Sequence, residues 1–290
     1  MTAPASSPAP GGASARLDPS GFARVAALAA REAGLTIPET KQAMVQSRLS
    51  RRLRATGYPD FDSYLQLVES TDGVEERDHM ISALTTNVSH FFREDHHFDT
   101  LRTTVLPPLI DRLHSGGRVR IWSAGCSSGQ EPYSIAITLL ESLPDAKRYD
   151  IRILATDIDR AILTTARAGQ YDARHISGLN AERQSKFFTK GPDPDTWQVT
   201  PALQDLISFR RLNLIEPWPM RGQFDVIFCR NVVIYFNPQT QSALWPRFAA
   251  ALHPDAWFFL GHSERIQDGD AHLFRPEGVT SYRLPTSQPA

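Results

Sequence analysis

Residues 121–132 read Ile-Trp-Ser-Ala-Gly-Cys-Ser-Ser-Gly-Gln-Glu-Pro. An apolar run ends in a loop carrying two glycines, then opens into a helical pattern over Glu131–Ser142. Glycines let a ligand approach the backbone, and a helix N-terminus supplies unpaired N–H donors. The same rhythm continues downstream. Val119–Ser123, Ile151–Ala155, Ile207–Arg210, Phe224–Cys229 and Trp257–Gly261 are predicted strands, with predicted helices at Glu131–Ser142, Arg160–Ala168 and Pro238–Leu252. Strand, helix, strand in this order predicts a doubly wound, parallel α/β sheet. Its ligand crevice lies at the carboxyl ends of the strands. Ser281–Leu284, after Pro276-Glu277-Gly278, is expected as an antiparallel edge strand. Between about 170 and 206 the rhythm breaks. That stretch is polar, with Gly191-Pro192-Asp193-Pro194-Asp195 and an isolated strand-like Trp197-Gln198-Val199, and predicts a small inserted subdomain.

Upstream, residues 17–88 are predicted to be helical. Val45, Leu49 and Leu53 recur at i, i+4 and i+8, one face of a helix that ends at Gly57-Tyr58-Pro59. Lys41, Arg48, Arg51, Arg52 and Arg54 surround this stripe, with Glu39 the nearby acid. Such a face is either a solvated helix surface or a docking surface for an acidic partner. Residues 1–16 and 286–290 are expected to be disordered tails, being short of apolar side chains to bury. The α/β domain is expected over 89–285.

Composition narrows the function. The 290 residues carry 31 Lys plus Arg against 32 Asp plus Glu, a formal net charge of -1. No global basic field exists, which excludes nucleic-acid binding by overall charge. Two cysteines, Cys126 and Cys229, cannot form a disulfide framework or a four-cysteine zinc site. Val25–Ala30, the apolar run nearest the start, is too short for a signal segment or a membrane span, so a cytoplasmic location without membrane insertion is expected.

The glycine loop admits several ligands. A P-loop requires Gly-Lys-Ser or Gly-Lys-Thr, but Gly129 is followed by Gln130. A dinucleotide fingerprint requires three glycines, and here two stand four apart. Gly125–Gly129 does match the G-x-S-x-G nucleophile elbow, with Ser127 at its centre and Asp225 and His262 following in the order of an α/β serine hydrolase. Against this alternative, the motif sits on the first strand of the α/β section, and five residues match readily by chance. Asp157 ends the second predicted strand, where a carboxylate can accept both ribose hydroxyls of a bound nucleoside. Asp159 fits the cap of the following helix. Arg230, Asn231 and Tyr235 follow the strand Phe224–Cys229 at the same rim. His90, His96 and His97 lack a helical i, i+4 pair and orienting carboxylates, so no metal site is expected.

Five stretches together resemble the CheR-type chemotaxis receptor glutamate O-methyltransferases: TTNVSHFFRE at 85–94, SAGCSSGQEPYS at 123–134, ATDID at 155–159, FCRNVVIYF at 228–236 and LGHSE at 260–264. The resemblance spans about 17–285. It implies an all-α N-terminal domain, an S-adenosylmethionine-dependent methyltransferase domain and an inserted β-subdomain. It also implies that Asn87, Ser89 and Arg93 reach the cofactor over the loop at Gly125. Glu131 and Asp157 would bind its amino group and ribose hydroxyls, in either order. Asn213 and Leu214 would flank the adenine, and Asn231 with Val232 would line the methionine side. Arg93 and Tyr235 would position the reacting centre. The acceptor implied is a glutamate of a chemoreceptor cytoplasmic helix, docked on the basic helix of Lys41, Arg48, Arg51, Arg52 and Arg54 by a monomeric enzyme. Such a glutamate, with an ordinary pKa of about 4.3, is ionised at neutral pH and needs no general base. A non-catalytic cofactor-sensing scaffold is the other alternative. The chain departs from the family pattern at Ser89 (usually Thr), at Gln130 (often Glu) and at Pro254-Asp255-Ala256 (often Pro-Gly-Gly). A different turn geometry is expected at the last, because Gly tolerates positive φ far better than Asp or Ala.

Overall fold

The structure, a computed structural model, describes residues 16–191 and 193–285. The predicted tails lie outside the described residues, Arg16 aside. The described residues divide into two compact units, 16–32 with 36–84, and 33–35 with 85–285. The second unit starts at Thr85 because Thr85 Oγ1 and Asn87 Nδ2 both donate to Asp159 Oδ2, at 3.4 and 2.9 Å.

The first unit holds α1 (Pro19–Ala33), α2 (Gln42–Thr56), α3 (Phe61–Glu69) and α4 (Val74–Leu84). The stripe Val45, Leu49 and Leu53 is buried on α2. Gly57 ends that helix at φ 75°, donating its N–H to the Leu53 carbonyl, the left-handed cap that glycine adopts without strain. Asp60 caps α3 by accepting the Ser63 N–H at 2.8 Å.

The basic face of α2 is not one uniform surface. Arg52 reaches the buried Glu76 of α4 through Nε at 2.9 Å and Nη2 at 2.5 Å, and the Tyr64 hydroxyl donates to the same carboxylate at 2.7 Å. Arg48 donates to the Ala83 and Leu84 carbonyls at 3.3 and 2.9 Å, satisfying acceptors at the end of α4. These two cations hold the helices together. Lys41, Arg51 and Arg54 are exposed.

The second unit opens with α5 (His96–Thr100) and α6 (Leu106–His114). Then come β1 (Arg118–Ala124), α7 (Gln130–Ser142), β2 (Asp150–Asp157) and α8 (Arg160–Ala168). An insertion carries β3 (Gln170–Asp172), α9 (Ala173–Ile176), α10 (Ala181–Phe187), β4 (Phe188–Lys190), β5 (Thr196–Val199) and α11 (Pro201–Gln204). It is followed by β6 (Ile207–Arg211), β7 (Phe224–Cys229), α12 (Pro238–Ala251), β8 (Leu252–Leu260), β9 (Arg275–Gly278) and β10 (Ser281–Arg283). Among the described residues the main sheet has seven strands in the order β6-β2-β1-β7-β8-β10-β9, parallel from β6 to β8, with β10 pairing antiparallel to both β8 and β9. The insertion folds its three strands as an antiparallel sheet, β3-β5-β4, so the Trp197 segment is a central strand rather than an isolated one.

Alternation along β1 and β7 sends side chains to two cores. Ile121, Val226 and Phe228 pack on the α7 side, while Trp122, Ile227 and Cys229 pack with Trp245 and Phe248 of α12. Cys126 and Cys229 are buried free thiols. β8 begins five residues before the predicted strand. Within it Asp255 takes φ 62°, donates its N–H to the Leu284 carbonyl at 3.0 Å and pairs with Arg283 at 3.3 Å. An aspartate thus occupies the left-handed region, which it tolerates better than most residues. No helix among the described residues is long and apolar enough to cross a membrane.

Removing one partner of a buried ion pair costs about 3–5 kcal/mol, and less where one partner touches solvent. Arg52 is 25% exposed. Arg52→Ala is therefore expected to lower unfolding free energy by about 2 kcal/mol, and Arg51→Ala by less than about 0.5 kcal/mol. Urea unfolding followed by circular dichroism checks both; equal effects would contradict the division of the face.

Candidate active site

Each polar group of the site stands at a carboxyl end of a parallel strand or in the turn at 85–94. The loop after β1 is built on β2. The Thr156 carbonyl accepts the N–H groups of Gly125 and Cys126, each at 2.8 Å. Gly125 has φ 81°, and a Cβ there would lie 2.3 Å from Val232 Cγ2. Only glycine lets the loop and the turn after β7 approach so closely. Ser127, at φ 51°, donates its N–H to Asp157 Oδ2 at 2.8 Å.

Asp159 caps α8 through the N–H groups of Ala161 and Ile162, and its other oxygen receives Asn87. Asp157 accepts the Ser127 and Asp159 N–H groups, one on each oxygen, which leaves lone pairs for a ligand. Burial pushes its carboxyl up to about 6, against the opposing pull of those two N–H groups.

Glu131, in the first turn of α7, is buried. Its Oε1 accepts the Ser123 hydroxyl at 2.7 Å and its Oε2 the Arg230 Nη1 at 3.1 Å. Burial raises the Glu131 pKa despite that guanidinium. Arg230 also donates to the Arg93 carbonyl and lies 3.2 Å from Glu94 Oε2. Glu94 in turn accepts Asn231 Nδ2 at 3.3 Å and both the N–H and the ring of His262, at 3.2 and 2.9 Å. Burial pushes the Glu94 pKa up, but His262, Arg230 and Asn231 outweigh it and hold it at about 2. Glu264 collects four backbone N–H groups: Gly261 at 2.6 Å, Val232 at 2.7 Å, Asn231 at 2.8 Å and Ile234 at 3.3 Å. That carboxylate fixes the turn in which Asn231 takes φ 60°.

The structure thus joins Gly125 to Val232, Asp157 to the glycine loop, and Glu131, Arg93 and Asn231 through Arg230 and Glu94. Arg93 is half-buried and donates Nη1 to the Val88 carbonyl at 3.1 Å. Ser89 and Tyr235 are half-buried, and the Tyr235 hydroxyl has no hydrogen-bond partner among the described residues. Asn213 donates to Glu216 at 3.0 Å, and Leu214 packs into the α12-side core. Both follow Leu212, whose N–H is bound by the Asp157 carbonyl at 3.0 Å. Glu94 and Glu264 were missed as site residues, although both stand in motifs quoted above. Arg230 was placed at the rim with no role.

The serine hydrolase alternative fails here. Ser127 Oγ is buried without a partner, Asp225 is bound by Arg112 and the Arg120 N–H, and His262 is bound by Glu94. His97 is buried against Phe259, donates or accepts at Thr280 Oγ1 across 3.0 Å, and is held neutral by burial and Arg230, its pKa about 3.

These groups fit S-adenosylmethionine. Asp157 and Glu131 are buried acceptors suited to hydroxyl and ammonium donors. Ser127 Oγ is an orphaned polar atom in the loop, and Gly125 lets the loop pack against Val232 of the turn after β7. Gly125→Ala forces Cβ onto Val232 and adds a left-handed strain of about 1–2 kcal/mol. It is expected to weaken S-adenosylhomocysteine binding at least about tenfold in calorimetry, with Val232→Ala restoring part of the loss. Ionised Asp157 accepts hydrogen bonds and its protonated form fills an acceptor. Affinity should therefore be full above about pH 6 and fall as pH drops through that value. Asp157→Asn should abolish that dependence.

Two family matches cover the chain. Residues 20–85 match the CheR methyltransferase all-alpha domain, and residues 87–283 the CheR methyltransferase SAM binding domain. The chain is 47% identical over 257 residues to a probable chemotaxis protein methyltransferase of Rhizobium etli, covering 88% of this chain and 96% of that protein. It is 41% identical to chemotaxis protein methyltransferase 2 of Pseudomonas aeruginosa, covering 87% and 88%. It is 39% identical to the chemotaxis protein methyltransferase of Escherichia coli, covering 91% and 90%. With both domains matched and relatives up to 47% identical over most of its length, the chain belongs to the CheR family of S-adenosylmethionine-dependent methyltransferases.

Proposed function

We propose that this protein methylates glutamate side chains of chemoreceptor cytoplasmic domains, forming methyl esters that tune chemosensory signalling in the cytoplasm. One observation carries the reading: three crevice carboxylates, Glu94, Glu131 and Glu264, already accept from groups of the protein itself, and Asp157 keeps its lone pairs for the cofactor. Glu94 is held by Arg230, Asn231 and His262, Glu131 by Ser123 and Arg230, and Glu264 by four N–H groups. A crevice of this kind suits an acceptor that is already ionised, as a glutamate is, rather than an alcohol or amide that must lose a proton.

When bound, S-adenosylmethionine supplies an electrophilic methyl group on a sulfonium. The chain's task is alignment in a water-poor site. Asp157 and Glu131 share the ribose hydroxyls and the amino group. Arg93 orients one oxygen of the acceptor carboxylate and leaves the other to react; a tighter grip would dull the nucleophile. Tyr235, with its hydroxyl uncommitted, hydrogen-bonds beside the transferring group. Lys41, Arg51 and Arg54 supply a cationic face for an acidic receptor helix.

Methyl-labelled S-adenosylmethionine and receptor cytoplasmic fragments test the reaction directly. Alkali-released labelled methanol that disappears in Asp157→Ala supports it; stable label on another group overturns the acceptor. Arg93→Ala and Tyr235→Phe are expected to lower turnover on the order of 10²-fold, with cofactor affinity within about threefold. Reversing Lys41, Arg51 and Arg54 to Glu is expected to raise the Michaelis constant for receptor at least about tenfold at low salt, the effect shrinking as salt rises. An unchanged, salt-independent constant contradicts docking on this face.

A further inference from the structure

Arg230 follows the last residue of β7, and its side chain is 2% exposed. Two chain segments, the start of α7 and the turn at Arg93-Glu94, converge on its guanidinium. Nη1 donates to Glu131 Oε2 at 3.1 Å, Nη2 donates to the Arg93 carbonyl, and Nη2 lies 3.2 Å from Glu94 Oε2. The Phe98 ring stands 5.6 Å from its Cζ, and Nε has no partner among the described residues. A solvated ion pair contributes little, but a desolvated guanidinium between two carboxylates fixes geometry, because its donors are set in a rigid plane. Glu131 belongs to the cofactor's acceptors. Arg93 and Glu94 belong to the turn that carries the acceptor-orienting side chain. That turn is strained, with Phe92 and Glu94 both at φ 54°. Its own hydrogen bonds are few: the Arg93 N–H donates to the His90 carbonyl at 3.4 Å, Arg93 Nη1 to the Val88 carbonyl at 3.1 Å, and the His97 N–H to the Glu94 carbonyl at 3.1 Å. It therefore depends on outside anchors.

We infer that Arg230 is a positioning residue for methyl transfer, setting the Arg93 turn in register with the cofactor carboxylate Glu131 through one buried guanidinium. The inference rests on the proposed role of Arg93 at the acceptor. Lysine cannot replace the fork. One ammonium keeps the charge that Glu131 and Glu94 require, yet its point geometry does not span three oxygens.

The test uses the full-length protein with Arg230→Lys, and Glu94→Gln as a second route should the first variant fold poorly by circular dichroism. Trypsin cleaves after arginine, and the carbonyl of the Arg93–Glu94 bond is the one Arg230 holds. Cleavage after Arg93, followed by mass spectrometry, is expected to accelerate at least about tenfold in each folded variant. Affinity for S-adenosylhomocysteine is expected to stay within about threefold in calorimetry, while methyl-ester turnover falls on the order of 10²-fold. Cleavage and turnover both within threefold of the wild type overturn the inference. So does an equal loss of turnover and cofactor affinity, which assigns Arg230 to the cofactor pocket alone. If the wild type forms no methyl ester on receptor fragments, the acceptor reading fails; the cleavage rate after Arg93 still decides whether Arg230 pins the turn.

Discussion

Burying β1 and β7 on both faces forces the protein's chemistry to the ends of those strands. A strand enclosed by two cores has no solvated side on which to carry polar groups, and every residue of β7 is buried. Polar side chains collect where the strands stop, still mostly out of water. There Glu131, Asp157 and Glu264 are all buried carboxylates. A desolvated carboxylate is tolerated only when donors surround it. The donors come from the loops themselves: Ser127 and Asp159 N–H for Asp157, four N–H groups for Glu264, and Arg230 for Glu131. The same bonds hold the loops in conformations they would otherwise leave. Ser127, Asn231 and Glu94 are non-glycine residues at positive φ, a strain of about 1–3 kcal/mol each that persists only under outside constraint. Charge burial and loop strain thus stabilise one another.

That coupling explains which parts the sequence disclosed. β7 is apolar apart from Asp225, and α8 is bounded by the Asp159 cap and Gly169, so both were legible to the residue, Phe224–Cys229 and Arg160–Ala168. β8 was legible only in its second half, because His253-Pro254-Asp255 interrupts its apolar run. The assignment of Asp159 to the helix cap was also legible, because capping is a contact over two or three residues. Arg52 was not, since its partner Glu76 lies 24 residues away and periodicity alone places it on a solvated face. Nor was the Arg230 network, whose contacts span 99 residues to Glu131 and 137 to Arg93. Motif matching found these residues as letters; what each donates to or accepts from is set by the register of distant strands.

The balance of charge in the crevice bears on how two unlike ligands share it. Four carboxylates, Glu94, Glu131, Asp157 and Glu264, stand at the crevice, and the buried guanidinium of Arg230 pairs with two of them, Glu94 and Glu131. A lining with this excess of negative charge attracts a cationic cofactor. It also repels an approaching glutamate on the proposed reaction. Something at the mouth must offset that repulsion without neutralising the cofactor's acceptors. Arg93 is suited to this. Its carbonyl is anchored by Arg230, while its guanidinium turns instead to the Val88 carbonyl and spends one donor there. A guanidinium has five N–H donors in a planar fork, so the remaining ones can take a carboxylate edge-on. On the proposed reaction, one residue would use its main chain to register with the cofactor side and its side chain to meet the acceptor. This is how a net-negative pocket can admit an anionic nucleophile.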